Sequence, residues 1–270
     1  MINFSVLLSV YIKEQPIFLE QSLASILNQT LIPPEIVLIK DGSLTTELDL
    51  IIKKYQNEVP MIKVIQLPQN QGLGKALNEG LKHCSHELVA RMDTDDIAKS
   101  NRFERQIQVF EEHPEVDIVS AWIEEFEGEV NNVVSVRKLP ETHAELYNYA
   151  KLRCPINHPV AMFKKSAVLA AGGYQHFPLF EDYYLWVRML MNGAKFHNIQ
   201  ESLLYFRFSP DMFKRRGGWK YAKDELRFQK MLHERRFISH KELIRNTFIR
   251  FTARIIPNSF RAWVYKKLLR

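Results

Sequence analysis

Three acids, Asp93, Asp95 and Asp96, fall within four residues at the end of the short, mostly apolar run Leu88 to Met92. Carboxylates packed this closely repel one another. A hard divalent cation removes that repulsion: carboxylate oxygens suit Mn2+ or Mg2+, which commonly hold substrate phosphates as well. The apolar run suits a buried strand, and ligands of open α/β sheets bind outside the carboxyl ends of strands. The competing reading is an acidic turn leading into the helix that begins near Ser100, with one Asp as its cap.

A second acidic pair, Glu181 and Asp182, opens an apolar helical run through Met191. Asp182 is either a helix cap that complements the dipole or a general base that removes a proton from an attacking hydroxyl. Gly72-Leu73-Gly74-Lys75 starts another helix, where backbone N–H groups and Lys75 could hold phosphate. It lacks the Walker pattern. Asp41, in Asp41-Gly42-Ser43, could accept hydrogen bonds from a base or ribose, or simply make a turn. Tyr11 could stack on a base, and Glu14 follows the same strand. His158 is either a substrate contact or a satisfied structural histidine, and no pair of histidines has metal-ligand spacing. Arg215 and Arg216, in a basic aromatic stretch from Leu204 to Trp219, suit a diphosphate or a solvated loop equally.

These residues need elements to position them. Phe4 to Val10, Ile36 to Ile39, Ile62 to Ile65 and Leu88 to Met92 read as buried strands. Amphipathic helices alternate with them: Leu19, Leu23, Ile26 and Leu27 mark the first, and Leu48, Ile51, Ile52 and Tyr55 the second. This alternation predicts an α/β, doubly wound, mainly parallel sheet, with a polar or glycine-rich segment at each carboxyl end. Further on, Ile118 to Glu124, Val133 to Val136 and Leu203 to Phe208 read as strands, and beyond Pro210 the chain reads as helical.

The chain has 270 residues, 46% of them hydrophobic, enough to bury one large core. Two cysteines and an opening without a basic, signal-like segment lead to the expectation of a reducing, cytoplasmic setting. No stretch of about twenty apolar residues exists to span a membrane. The net charge of +6 is uneven: residues 211–270 carry 17 Lys+Arg against 5 Asp+Glu, and the first 210 carry 20 against 26. In that tail Ile244, Phe248, Phe251 and Ile255, then Phe260, Trp263 and Leu268, lie among arginines and lysines. Such basic amphipathic helices suit an anionic membrane surface, or else dock their apolar faces on the sheet. No nucleic-acid binding module accompanies the charge, so no nucleic acid is expected as a partner.

Together, Ser9-Val10-Tyr11, Lys40-Asp41-Gly42-Ser43, Asn70 to Asn78, Arg91 to Asp96 and Glu181 to Trp186 resemble the glycosyltransferase family 2 enzymes of GT-A fold. The likeness covers the whole chain, and is greatest to the small bacterial enzymes that build exopolysaccharide, capsule or O-antigen. The resemblance implies a GT-A domain over residues 1–210, with a nucleotide-binding half (1–97) and an acceptor-binding half (98–210), followed by a helical tail (211–270). It implies a nucleotide-sugar donor, UDP-linked as in many relatives, and a glycan or polyprenyl-diphosphate-linked acceptor on the cytoplasmic face of the plasma membrane. Asp93-Thr94-Asp95 looks like the family's Asp-x-Asp motif, with Asp93 on the ribose and Asp95 on the metal. Asp41 would contact the base, Val10, Tyr11 and Glu14 would line its pocket, and Asp182 would be the catalytic base of a single inverting displacement. Lys40 stands where many relatives have an acid. The Gln-x-x-Arg-Trp motif and membrane spans of the processive synthases are missing, which implies one sugar added per encounter. A sugar nucleotidyltransferase would want a glycine-rich basic loop after the first strand, which Tyr11 to Gln15 is not. A catalytically silent, membrane-associated binding protein on the same fold would be expected to lose Asp95 or Asp182, and both are present.

Overall fold

Strand β1 (Phe4–Val10) shows how the chain is built. Phe4, Val6, Leu8 and Val10 enter one apolar cluster, and Leu7 enters the cluster on the opposite face. β2 (Glu35–Lys40) divides in the same way, Ile36 and Leu38 to one side and Val37 and Ile39 to the other. Successive side chains of a strand point to opposite faces, so apolar runs of this kind require a sheet covered on both. The covering helices are α1 (Pro16–Leu27), α2 (Thr46–Glu58) and, after β3 (Ile62–Gln66), α3 (Leu73–His83). Pro16 opens α1 where its missing N–H costs nothing. The Thr45 hydroxyl caps α2 by accepting from the Leu48 N–H at 3.3 Å.

In a computed structural model of the protein, which describes residues 2–208 and 218–255, β4 (Leu88–Arg91) completes a parallel quartet in the order β3-β2-β1-β4. The chain passes from β1 outward to β2 and β3, then back across to β4, so the order reverses between β1 and β4. That is where an open α/β sheet binds its ligands. After the two-residue β5 (Ile97–Ala98) come α4 (Arg102–Glu112), β6 (Ile118–Phe126), β7 (Val133–Arg137) and α5 (His143–Ala150). The turn His158–Val160, β8 (Met162–Lys164), α6 (Lys165–Ala170), α7 (Glu181–Met191) and β9 (Phe196–Arg207) follow.

The four parallel strands and their helices stand where the apolar pattern puts them. The second half of the sheet does not follow from it. β8 pairs antiparallel with β4 and β6, β9 runs parallel to β6, and β5 pairs antiparallel with β9. β5 and β8 are too short to show a period, and the late strand starts at Phe196 instead of Leu203 because Asn198, Gln200 and Glu201 break its apolar run.

Two helices close the described chain, α8 (Gly218–Glu234) and α9 (His240–Ile255). α8 docks on the domain: Tyr221, Phe228 and Leu232 belong to the cluster that holds Tyr183, Leu185 and Trp186 of α7. α9 divides its residues. Asn246 is buried and donates to the Lys151 carbonyl at 2.7 Å, whereas Ile244, Phe248 and Ile249 are exposed. Phe260, Trp263 and Leu268 lie outside the described residues. No helix among the described residues is long and apolar enough to cross a membrane.

Candidate active site

β4 carries a charged residue in its buried interior. Arg91 is 1% exposed, and its guanidinium forms an ion pair with Asp93 two residues on. Burying a guanidinium costs free energy unless it is paired. Arg91 therefore ties the first acid of the turn to the end of its own strand. Arg102 of α4 lies beneath, also fully buried, and donates to the Arg91 carbonyl at 2.6 Å. Burial, with the charge of Arg91, brings its guanidinium down to about 9.

Ligand oxygens of Asp93, Asp95 and Asp96 all lie within 4.8 Å of one another. Burial pushes the Asp95 carboxyl up to about 7, helped by the charges of Asp93 and Glu14. Burial likewise raises Asp96, followed by repulsion from Asp95 and Asp93. Asp96 Oδ1 accepts from the Arg207 backbone N–H at 2.8 Å, while Oδ2 is buried with no hydrogen-bond partner among the described residues. A buried, unpaired carboxylate oxygen beside two more acids fits a hard divalent cation, the donor set that Mn2+ or Mg2+ prefers.

The turn is braced from three sides. The Ser22 hydroxyl of α1 donates to the Asp93 carbonyl at 2.9 Å. Thr94 Oγ1 donates to Glu14 Oε2 at 2.6 Å, which joins the β1 and β4 ends. Arg207 donates through Nε to the Asp95 carbonyl at 2.9 Å and through Nη2 to Gln21 at 2.6 Å, with its guanidinium 3.9 Å from the Phe18 ring centre. As a sequence, Arg207 belongs to a stretch suited to diphosphate. In the structure its donors go to the acidic turn, the Gly128 carbonyl and Gln21.

On the β2 side, Asp41 is buried, and both its oxygens accept backbone N–H groups, Gln71 at 2.7 Å and Gly72 at 3.0 Å. Its carboxylate thus shapes the loop that enters α3. Gly42 makes this possible: with φ of +86°, a Cβ there would lie 2.5 Å from the Asn70 nitrogen. Tyr11 is exposed at the end of β1. Val10, expected to line the base's pocket, instead turns its side chain into the core at 0% exposure, as alternation along β1 requires. Lys40 pairs with Asp49 of α2 at 2.6 Å.

The α3 start also meets the second acidic pair. A Cβ on Gly74 would lie 3.3 Å from Glu181 Oε2, so Glu181 stands over the helix that Lys75 belongs to, and its other oxygen is 3.2 Å from His176 Nδ1. Asn78 of α3 exchanges two hydrogen bonds with the Tyr174 backbone, 2.7 and 2.8 Å long, and Arg188 holds the Gly172-Gly173 turn through the Ala171 and Gly173 carbonyls. Phe180, not Asp182, is the N-cap of α7; Asp182 lies in the first turn, with Oδ1 2.7 Å from the Tyr183 N–H. Tyr174 is buried beside His158. Burial raises its hydroxyl, Arg91 opposes this, and the charges of Asp182 and Asp93 both add to it. His158 Nε2 is 2.9 Å from the Tyr174 hydroxyl, and its ring meets the edge of Trp186. Burial holds that imidazole well below its usual range, followed by the charge of Arg91. Arg215 and Arg216 lie outside the described residues.

The roles of three residues escape a sequence reading: Arg91, Asn78 and Tyr174. Arg91 had a signal, a charge inside a buried strand, which demands a counter-ion. Tyr174 had none, because its position depends on the return of a distant loop to α3.

Glycosyl transferase family 2 matches residues 5–169 of the chain. Over 268 residues, 99% of this chain and 97% of the relative, it is 42% identical to UDP-Gal:alpha-D-GlcNAc-diphosphoundecaprenol beta-1,3-galactosyltransferase of Escherichia coli. It is 38% identical to amylovoran biosynthesis glycosyltransferase AmsE of Erwinia amylovora, over 98% of each chain. The fold matches that of S. aureus TarS 1-349 in complex with UDP-GlcNAc, with a TM-score of 0.67 and 16% identity over 100% of this chain and 76% of that one. With the acidic turn at the sheet's reversal point and these matches along its length, the chain belongs to glycosyl transferase family 2 and is a glycosyltransferase of GT-A fold.

Proposed function

We propose that this glycosyltransferase moves one sugar, with inversion, from a UDP-linked donor to a hydroxyl of a lipid-diphosphate-linked acceptor in bacterial surface polysaccharide synthesis. The observation that carries this reading is the clustering of Asp93, Asp95 and Asp96 at the end of β4, where the strand order reverses, with Asp93 and Asp182 both close enough to raise the Tyr174 hydroxyl. The E. coli relative is named for UDP-Gal and a diphosphoundecaprenol acceptor, and it matches 99% of this chain.

Asp95 and Asp96 would hold Mn2+ or Mg2+. When bound, such an ion supplies positive charge to a departing diphosphate. The residues of the chain do the rest. Asp93, fixed by Arg91, faces the ribose. Tyr11 stacks on the base, and Asp41 reaches it with the acceptor positions its two backbone bonds leave open. Lys75, Arg215 and Arg216 stand for the phosphate contacts. Asp182 takes the proton of the acceptor hydroxyl as that oxygen attacks the anomeric carbon from the face opposite the nucleotide. Glu181 and His176 border the acceptor side.

The basic tail and the exposed Ile244, Phe248 and Ile249 of α9 support a peripheral position on an anionic membrane, on the cytoplasmic face where a nucleotide-sugar is available. The experiment is a melting screen with UDP, GDP, TDP and CMP, each with Mn2+ and with chelator, on wild type and Asp95→Asn. A ligand that binds only the folded state raises its stability. A shift with UDP that disappears with chelator and in the variant is expected, followed by turnover of UDP-galactose onto GlcNAc-diphospholipid. No shift with any nucleotide would favour a silent binding protein.

A further inference from the structure

The turn Phe177–Phe180 leads directly into α7 and Asp182. The Phe180 N–H donates to the Phe177 carbonyl at 3.0 Å, and Leu179 has φ of +69°. Pro178 fixes a negative φ at the turn's first central position, so a positive φ at the second makes it a type II turn. That second position is the one such turns reserve for glycine, and an aliphatic side chain there is strained. Leu179 gains little in return from burial, since it is 55% exposed. The residues on either side hold the strain in place. Phe177 packs edge-on against Phe228 and Tyr184, with ring centres 5.2 and 5.6 Å apart, and Phe180 stacks on Phe228 at 4.8 Å and 13°. Strained conformations persist where the surroundings over-determine them, and they gather at functional sites. An exposed leucine thus occupies a glycine position three residues from Asp182.

We propose that Leu179 is a specificity residue that contacts the lipid chain of the acceptor next to its diphosphate. This rests on the lipid-linked acceptor proposed above. The polar part of such an acceptor falls to Asp182, three residues on and assigned above to the acceptor hydroxyl. Leu179 offers apolar contact alone, which suits the one apolar part of that molecule. A rigid turn places it without an ordering cost on binding.

The test uses two substitutions that tolerate a positive φ, Leu179→Gly and Leu179→Asn. Each full-length variant is assayed in detergent, free of membrane, with the nucleotide-sugar identified by the melting screen. The acceptors are GlcNAc-diphosphate on a polyprenyl chain and the same headgroup on a short alkyl chain. For both variants we expect a KM for the polyprenyl acceptor raised about tenfold, the loss of one apolar side chain's contact. The kcat, the donor KM and the KM for the short-chain acceptor stay near wild type, and Leu179→Gly melts no lower than wild type. An unchanged KM for the polyprenyl acceptor overturns the proposal, as does an equal rise for both acceptors, which would assign Leu179 to the sugar. A wild-type protein that turns over neither acceptor overturns the lipid-linked reading itself, and this inference with it.

Discussion

The backbone N–H of Arg207 donates to Asp96 Oδ1 at 2.8 Å, joining the end of the last strand to the acidic turn 111 residues earlier. Its side chain doubles the link through the Asp95 carbonyl. The acids are thereby held in one geometry before any ligand arrives, as catalytic preorganisation requires.

Arg207→Met keeps the backbone bond and removes the clamp. Its expected effect is a modest fall in melting temperature, with Mn2+-dependent nucleotide binding weaker by about tenfold, the worth of one lost charged hydrogen bond. Nucleotide binding in chelator should match wild type. Calorimetry with and without Mn2+ decides, and an equal loss in both conditions would make Arg207 a fold residue only.

Asp182→Asn separates catalysis from helix stability. Asn keeps the oxygen that accepts the Tyr183 N–H, so melting should stay close to wild type. Turnover should fall by about 10²- to 10⁴-fold, the usual share of a general base. Steady-state kinetics beside a melting curve is the measurement, and intact turnover would leave Asp182 as a structural acid.

His158 makes stability depend on pH. Its folded imidazole stays neutral, whereas the unfolded chain takes up a proton below about pH 6.5. Stability is therefore complete above that pH and is lost as the pH falls through it. Wild type should lose melting temperature between pH 7 and 5 more steeply than His158→Gln. Parallel slopes would mean that His158 protonates as freely in the fold as outside it.

The tail helices should divide by burial. Phe228→Ala, at 0% exposure within the aromatic cluster, is expected to cost about 3–5 kcal/mol. Replacing the exposed Ile244, Phe248 and Ile249 by Ser should lower melting far less than Phe228→Ala and abolish flotation with anionic vesicles. Deletion of the whole helix is a poorer test, since it also removes the buried Asn246. If the triple variant still floats, the exposed face of α9 is not the membrane contact.

Local pattern was enough to determine the parallel half of the sheet, its helices and the two acidic centres. The reason is that apolar period and strand-end chemistry are properties of neighbouring residues. Only the tertiary structure decided how the site's polar groups are used. Asp41 serves the Gln71-Gly72 loop, Arg207 braces the acids instead of facing solvent, Val10 turns into the core, and α8 docks on α7. The Asp41 and Arg207 contacts depend on partners 30 or more residues away, and a pattern read along the chain carries no information about which distant groups a fold brings within hydrogen-bonding distance.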